Sequence, residues 1–286
     1  MAALLDHELS ERMLYHSFWA ETTMQNLPNE LLNHIADFLR DSQAPLRNCC
    51  LVSKSWIPRT RRHIFANIYF QTAKDLESWK KTFPDPSISP ACYAKLLWIG
   101  CPQVITAGGA EAGDWIASFT SVEHLELGGQ DTQARGWEVA FALFHRFSPA
   151  IKSIRMKMSP LPFRQFFKLV LSFPLLEDLD MSDCYDAPID NDGDSDGLSS
   201  TVQALSLPMF TGSLDLHLDE GVGPVVRWLL TQPGRIRFRK LALSWACEED
   251  VSLTLVLMEE CSHTLESLYV CCNLPGTFIR HLCPHR

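Results

Sequence analysis

A spacing pattern that recurs between residues 94 and 270 constrains the fold of this chain more than any other feature. The pattern is an apolar residue, two intervening residues, a second apolar residue, one intervening residue and a third apolar residue. It occurs at Ala94/Leu97/Ile99, Val122/Leu125/Leu127, Ile151/Ile154/Met156, Leu176/Leu179/Met181, Val202/Leu205/Leu207, Phe238/Leu241/Leu243 and Leu265/Leu268/Val270. The central positions are 28, 29, 25, 26, 36 and 27 residues apart. Chance can produce two such matches in an apolar sequence, but this many at a nearly constant interval indicate a structural repeat.

Each repeat is predicted to contribute a short strand and a helix, and the repeats must stack to bury their apolar faces. The outer helices are predicted within 115–119, 139–147, 163–173, 225–230 and 251–258. The alternating segment 214–218, inside the longest interval, is predicted to be an extra strand. The pattern resembles irregular leucine-rich repeats. That resemblance implies an α/β solenoid of parallel strands with outer helices.

Residues 26–70 have helical periodicity instead. A first amphipathic helix is predicted behind Pro28 from the spacing of Leu31, Leu32, Ile35, Phe38 and Leu39. Two more helical segments follow, and Pro58 is compatible with the third if Ser55 caps it, because proline is tolerated in a first turn. Three helices this short bury little apolar surface on their own, so another protein is expected to cover the remainder.

This segment resembles an F-box. The resemblance rests on Leu27-Pro28-Asn29-Glu30-Leu31-Leu32, Ile35, Leu39, Leu46, Leu51-Val52-Ser53-Lys54-Ser55-Trp56, Arg62 and Phe65. It implies a three-helix module that binds the Skp-type adaptor of an SCF cullin-RING ubiquitin ligase. The apolar positions predicted to contact the adaptor are Leu27, Pro28, Leu31, Ile35, Leu39, Leu46, Val52 and Trp56.

The predicted organisation has four parts. They are an N-terminal extension (1–25), the F-box module (26–70), a proline-containing linker (71–93) and a leucine-rich-repeat-like domain (94–286) with an acidic loop (183–199). The formal net charge is −9. Residues 176–199 hold nine acids and no Lys or Arg, so the rest of the chain is nearly neutral. It lacks the broad basic field that duplex binding requires, and nucleic acid is not expected as a partner.

The sequence also bears on the compartment. We find no signal-peptide core at the N-terminus and no apolar stretch of the roughly 20 residues that a membrane helix needs. The ten cysteines show no regular pairing framework, and we expect reduced thiols. A cytoplasmic or nuclear protein without a membrane partner is therefore expected.

Two loop motifs resemble ligand sites only in part. Asp192, Asp194, Asp196 and Gly197 match the first half of a calcium-binding EF-hand loop, but Gln203 stands where a bidentate Glu is required. Gly108 and Gly113 have the spacing of a phosphate loop, yet Asp114 and Trp115 replace its Lys and Ser or Thr. A solvated insertion and a helix-capping loop are the preferred interpretations.

Near the C-terminus, thiols and imidazoles offer ligands of the type that zinc prefers, at Cys271, Cys272, His281, Cys283 and His285. The closely spaced pairs of a zinc knuckle are absent, and we predict neither a metal nor a cofactor. The sequence also lacks a G-x-S-x-G elbow and an H-E-x-x-H helix. We expect a non-catalytic protein.

The expected function is substrate recognition within the ligase, with the adaptor leading to a cullin and the repeats holding an unknown target protein. Alternation along each strand sends the residue between the second and third apolar positions to the opposite face of the sheet. The residues predicted to form one target-binding row are Trp98, Glu126, Arg155, Asp180, Ser206, Ala242 and Tyr269. The alternative is a non-degradative scaffold that binds the adaptor without a cullin.

Overall fold

The computed structural model describes residues 27–106, 114–128, 137, 140, 141, 143, 144, 147–157, 160, 161, 163–186, 208–218, 221–232, 234–245 and 248–272. The chain divides into two compact units, residues 1–66 and 67–286. The predicted extension (1–25) and the part of the predicted acidic loop from 187 to 199 lie outside the described residues.

The first unit contains three helices: α1 (Asn29–Phe38), α2 (Gln43–Val52) and α3 (Ile57–Ile64). Pro28 directly precedes α1, and Glu30 lies in its first turn, where a carboxylate interacts favourably with the helix dipole. Helical spacing places Leu32 and Ala36 on one face of α1, and both are buried. Leu46 from α2 and Trp56, just before α3, complete the buried apolar residues described in this unit.

Pro58 lies in the first turn of α3, as the sequence predicts, and so removes no hydrogen bond from the helix interior. The start of that helix differs from the prediction. A 3₁₀ turn (Lys54–Trp56) precedes it, and the Ser53 hydroxyl accepts a hydrogen bond from the Ser55 amide at 3.1 Å. Ser53 therefore caps the 3₁₀ turn, whereas Trp56 occupies the N-cap position of α3 and Ser55 does not cap that helix.

Polar side chains join α3 to α1. The Arg59 guanidinium donates to Asn33 Oδ1 at 2.8 Å and to Asn29 Oδ1 at 2.7 Å. One turn further along α3, His63 Nε2 lies 2.9 Å from Asp37 Oδ1. These contacts fix the packing of the two helices in a unit that has few buried apolar side chains.

The second unit is built on an eight-stranded sheet in which every neighbouring pair is parallel. In chain order the strands are β1 (Asn67–Phe70), β2 (Leu96–Ile99), β3 (His124–Gly128), β4 (Ser153–Lys157), β5 (Pro160–Leu161), β6 (Asp178–Ser182), β7 (Tyr185–Asp186), β8 (Ser213–His217), β9 (Lys240–Trp245) and β10 (Ser267–Cys272). Strands β5 and β7 form a separate pair, and the other eight lie in the sheet in chain order. Each connection is therefore a crossover, as parallel pairing requires.

Helices supply most of these crossovers. They are α4 (Ala73–Thr82), α5 (Gln103–Thr106), α6 (Phe163–Leu171), α7 (Gly223–Leu230) and α8 (Glu248–Cys261), and residues 114–117 are also helical. The predicted helices at 163–173, 225–230 and 251–258 are thereby confirmed. Phe167 of α6 and Trp228 of α7 stack with ring centroids 4.1 Å apart, so successive outer helices pack on one another.

The apolar residues of the repeat pattern form the core of the second unit. Leu125, Ile154, Leu179 and Leu241 occupy the central positions of their strands and are all buried. They pack in one hydrophobic cluster with helical residues such as Phe166. The period of the pattern thus reports which face of each strand lies against the helices.

Two strands are predicted around the longest interval of the pattern. The segment 214–218, predicted as an extra strand, provides β8 of the main sheet, with Leu214 paired to Leu179 and Leu241. The predicted strand around Val202, Leu205 and Leu207 lies outside the described residues.

The first strand, β1, is not predicted from the sequence. It carries the same spacing at Phe65/Ile68/Phe70, and Ile68 pairs with Leu97, 29 residues later. From the sequence, residues 26–70 are interpreted as helical throughout, so no strand is predicted at their C-terminal end. The first strand of the repeat pattern begins before the predicted F-box module ends.

The stretch 71–93 is not a linker. It contains α4 and two 3₁₀ turns (Pro86–Ile88 and Pro90–Tyr93), and Leu76 and Ala91 are buried in the core of the second unit. Pro86 and Pro90 stand at the starts of these turns, where proline is compatible with helical backbone. The boundary between the units therefore lies at residues 66 and 67 and not at 93 and 94.

Candidate functional site

One row of side chains crosses the sheet on the face opposite the apolar core. Its members, which we call the polar row, are Tyr69, Trp98, Glu126, Arg155, Asp180, Asp215, Ala242 and Tyr269, each paired in register with the next. Six of the seven residues predicted for this row are in it. Ser206 lies outside the described residues, and Asp215 of β8 occupies the next position after Asp180. That these residues bind a target stays a prediction.

Sequence reasoning missed Tyr69 and Asp215. Each stands between two buried apolar residues, Ile68 and Phe70 for Tyr69, and Leu214 and Leu216 for Asp215. Applying the same alternation to the strands at 67–70 and 213–217 finds both of them.

Charge pairing holds the middle of the polar row. Arg155 Nη1 donates to Glu126 Oε1 at 2.8 Å, and Arg155 Nε donates to Asp180 Oδ2 at 2.5 Å. The hydrogen bond to Asp180 is the main reason why the pKa of Arg155 is raised, and its partial burial acts in the opposite direction. One guanidinium therefore spans three adjacent strands.

Asp215 has a different environment from the other carboxylates of the row. Burial raises its pKa, and the neighbouring Asp180 raises it further, while His217 and Arg155 act in the opposite direction. His217 Nε2 lies 2.9 Å from Asp215 Oδ1. The row as a whole has four charged residues, of which only Arg155 is cationic.

These polar groups do not form a nucleophile with a base. The Ser182 hydroxyl, which neighbours His217 in the register, donates to Asp180 Oδ1 at 3.1 Å. It makes no hydrogen bond to His217 in the described part of the chain.

An open pocket of about 380 Å³ lies at the β1 end of the row. It is lined by Tyr69, Gln71, Asp75, Trp98 and Glu126. The rings of Tyr69 and Trp98 come from neighbouring strands, with centroids 6.4 Å apart and planes inclined by 45°. Asp75 comes from the first turn of α4 and Glu126 from β3.

No metal site is found in the residues that the structure describes, since they include no group of three or more His, Cys, Asp or Glu suited to hold an ion. The calcium-like loop lies outside those residues, as do Gly108 and Gly113 of the phosphate-loop spacing. Of the zinc candidates, Cys271 lies within the described residues and is half-buried. His281, Cys283 and His285 lie outside the described residues, as does the side chain of Cys272.

The apolar surface of the first unit is the second candidate site. Pro28, Leu31, Ile35 and Val52 are exposed, the last three by 47%, 38% and 52%, and Leu27 and Leu39 are half-buried. Leu46 and Trp56, also predicted as adaptor contacts, are 0% and 3% exposed and belong to the core of the unit itself. The prediction was wrong for these two, because apolar spacing alone does not distinguish a core position from an exposed one.

Two further residues of this unit are more exposed than Leu31, Ile35 and Val52. Phe38 is 87% exposed at the end of α1 and Leu51 is 85% exposed near the end of α2. Leu51 belongs to a segment on which the F-box resemblance rests, and Phe38 directly precedes Leu39 of that resemblance, but neither is among the predicted contacts. We define the exposed apolar surface as Leu31, Ile35, Phe38, Leu51 and Val52.

The sequence matches no model of a known protein family, and it matches no curated protein. None of the helices in the described ranges is both long and apolar enough to cross a membrane.

Proposed function

We propose that this protein is the substrate-recognition subunit of an SCF-type cullin-RING ubiquitin ligase. In this role the three-helix unit binds a Skp-type adaptor, as an F-box does, and the leucine-rich-repeat-like sheet holds a target protein. The observation that carries the proposal is the exposed apolar surface of the first unit. It lies on the residues whose sequence resembles an F-box.

The balance of buried and exposed side chains in the first unit supports a partner. Its described core contains three large apolar side chains, Leu32, Leu46 and Trp56, whereas five large apolar side chains are exposed. Leu31, Ile35 and Phe38 have helical spacing along α1 and so share one of its faces, and an exposed apolar face on a small module is typical of an interaction site. Burying a Leu or Phe side chain contributes about 1.5–3 kcal/mol, so an adaptor that covers these five gains substantial affinity.

The second unit supports the recognition role. Because the strands are parallel and lie in chain order, one residue from each strand contributes to the polar row, from Tyr69 to Tyr269. The row presents aromatic side chains at both ends and charged side chains between them. A target held on this row would be kept near the ubiquitin-conjugating enzyme of the complex. The chain then contributes proximity rather than bond chemistry, by raising the local concentration of the acceptor lysines. The cytoplasm or the nucleus is the expected compartment.

Co-purification tests this proposal. We expect Leu31→Ala with Ile35→Ala to abolish recovery of the Skp-type adaptor, because truncating buried anchors typically costs about 2 kcal/mol or more each. The matched control is Leu255→Ala with Val256→Ala on α8, which truncates side chains of similar exposure, 56% and 46%, in the other unit. The control should bind the adaptor normally. Unchanged recovery with the first pair would refute the assignment.

The combined change Leu27→Ala and Pro28→Ala provides a second test at the start of α1. It should reduce adaptor recovery while the second unit keeps its thermal transition. The same pull-down identifies the ligase. A cullin recovered with the adaptor supports the receptor role, whereas an adaptor without a cullin indicates the scaffold alternative.

A further inference from the structure

The pocket at the β1 end of the polar row combines two aromatic rings with two carboxylates. Its five lining residues include Asp75 and Glu126 and no cationic residue. Its volume of about 380 Å³ is near the lower end of the range in which small-ligand sites occur. A side chain, rather than a large cofactor, matches this size.

Both carboxylates keep one oxygen for a ligand. Asp75 Oδ2 accepts from the Thr72 amide at 2.7 Å and from the Thr72 hydroxyl at 3.1 Å. Glu126 Oε1 accepts from Arg155. The second oxygens, Asp75 Oδ1 and Glu126 Oε2, have no hydrogen-bond partner in the described part of the chain.

The aromatic rings favour the same kind of ligand as the carboxylates. The π-faces of Trp and Tyr attract a guanidinium or ammonium group, and a partly desolvated carboxylate adds a charge-assisted hydrogen bond. Tyr69 is 59% exposed, so its ring is accessible without any rearrangement of the core.

The charge of the neighbouring strands extends this preference. Beyond Glu126, the polar row continues with Asp180 and Asp215, and Arg155 is its single described cation. Arg155 is already shared between Glu126 and Asp180. A basic ligand on the row therefore meets an excess of negative charge, and an acidic one meets repulsion.

We propose that this pocket binds the arginine or lysine side chain of a protein segment lying along the polar row, with Tyr69 and Trp98 contacting the cation and Asp75 and Glu126 pairing with it. For the proposed receptor, this inference specifies the class of substrate, a protein segment with an arginine or lysine side chain. It rests on the proposed function only in calling that segment a substrate. Binding itself is a property of the chain without an adaptor.

A peptide titration tests it. The full-length chain is labelled with ¹⁵N, and the Trp98 indole signal, assigned from Trp98→Phe, is followed during addition of acetyl-Gly-Arg-Gly-amide. The comparison probe is acetyl-Gly-citrulline-Gly-amide, which has nearly the same shape and no charge. We expect saturable shifts with the arginine probe and an affinity for the citrulline probe lower by about fivefold or more. Equal affinity for both probes, or no saturable shift with arginine, would overturn the proposal.

Variants show whether this pocket is the site. Glu126→Gln should weaken arginine binding about fivefold, whereas Glu266→Gln, the same charge change at the other end of the sheet, should not. Tyr69→Leu should weaken it, and Tyr69→Phe, which restores the ring, should recover most of the loss. An equal effect of Glu126→Gln and Glu266→Gln would assign the binding to overall charge and refute the pocket.

The two proposals fail separately. Loss of peptide binding with intact adaptor recovery would refute the cation pocket and leave the receptor role standing. Peptide binding without any adaptor recovery would support the pocket and refute the receptor role. A thermal transition measured for each variant identifies any that does not fold, and the Glu126→Gln and Glu266→Gln pair retains its side-chain shapes for the decisive comparison.

Discussion

The indole ring of Trp98 lies across Gly100. A Cβ atom added at residue 100 would stand 2.6 Å from Trp98 Cη2 and 2.8 Å from the Gln71 carbonyl oxygen. The two residues are two positions apart on the same face of the chain, where successive outward side chains would normally be neighbours. Because glycine has no side chain, the Trp98 ring can lie over residue 100 and line the pocket.

Changing Gly100 to Ala tests this relationship. We expect a loss of about 1–3 kcal/mol in the free energy of unfolding, because the new methyl overlaps both the ring and a backbone oxygen. Adding Trp98→Ala should recover part of that loss, since it removes one of the two overlaps. Urea denaturation of both single variants and the double variant provides the measurement. Additivity within about 0.5 kcal/mol would contradict the contact.

Leu46 and Leu51 distinguish core from surface within a single helix. Leu46 is 0% exposed and Leu51 is 85% exposed. We expect Leu46→Ala to lower the stability of the first unit by about 2–5 kcal/mol and Leu51→Ala to change it by less than about 0.5 kcal/mol. Thermal unfolding followed by circular dichroism compares them. Similar losses for both would show that the helix packs differently.

Glu123 should stabilise the second unit in a pH-dependent way. Hydrogen bonds from Lys95 and Lys152, at 2.6 and 2.9 Å, lower the pKa of Glu123 from 4.5 to about 2. Because the folded-state pKa lies below the unfolded value, the stabilisation is complete above pH 4.5 and is lost as the pH falls towards 2. Glu123→Gln should therefore cost about 1 kcal/mol or less at pH 7.

The check on Glu123 is urea denaturation between pH 7 and pH 3. The difference between the wild type and Glu123→Gln should shrink below pH 4.5. Glu266→Gln, whose ion pair with Arg239 is longer at 4.0 Å, serves as the control and should show a smaller pH dependence. A difference that stays constant with pH would argue against the two lysine contacts.

Asp215 should affect the stability of the second unit with the opposite pH dependence. Its pKa is raised mainly by burial, so its contribution to stability is present below pH 3.8 and is lost as the pH rises through the folded-state pKa. We expect Asp215→Asn to raise the melting temperature at pH 7 relative to the wild type, and the gain to disappear in acid. Calorimetry at several pH values measures it. A lower melting temperature at pH 7 would show that the charged form is favoured.

The local order of apolar residues determined much of this fold. Alternation at Leu125 and Leu127 specified both a strand and its buried face, and the same pattern placed Glu126, Arg155 and Asp180 side by side. Register follows from such a pattern because a shift of one residue would turn every apolar side chain outward. For this reason the polar row could be predicted from sequence except at one position, where Asp215 stands, and at its first member, Tyr69.

Tertiary structure decided what the pattern leaves ambiguous. Residues 213–217 take the strand position after β6, and that pairing is a long-range contact that no local pattern specifies. Leu46 and Leu51 are alike in the sequence, yet only the packing of three helices buries the first. The pocket needs Asp75 from a helix, Trp98 from one strand and Glu126 from another, so no local pattern contains it. Local periodicity sets the direction of each side chain, but a site assembled from distant segments exists only once the chain has folded.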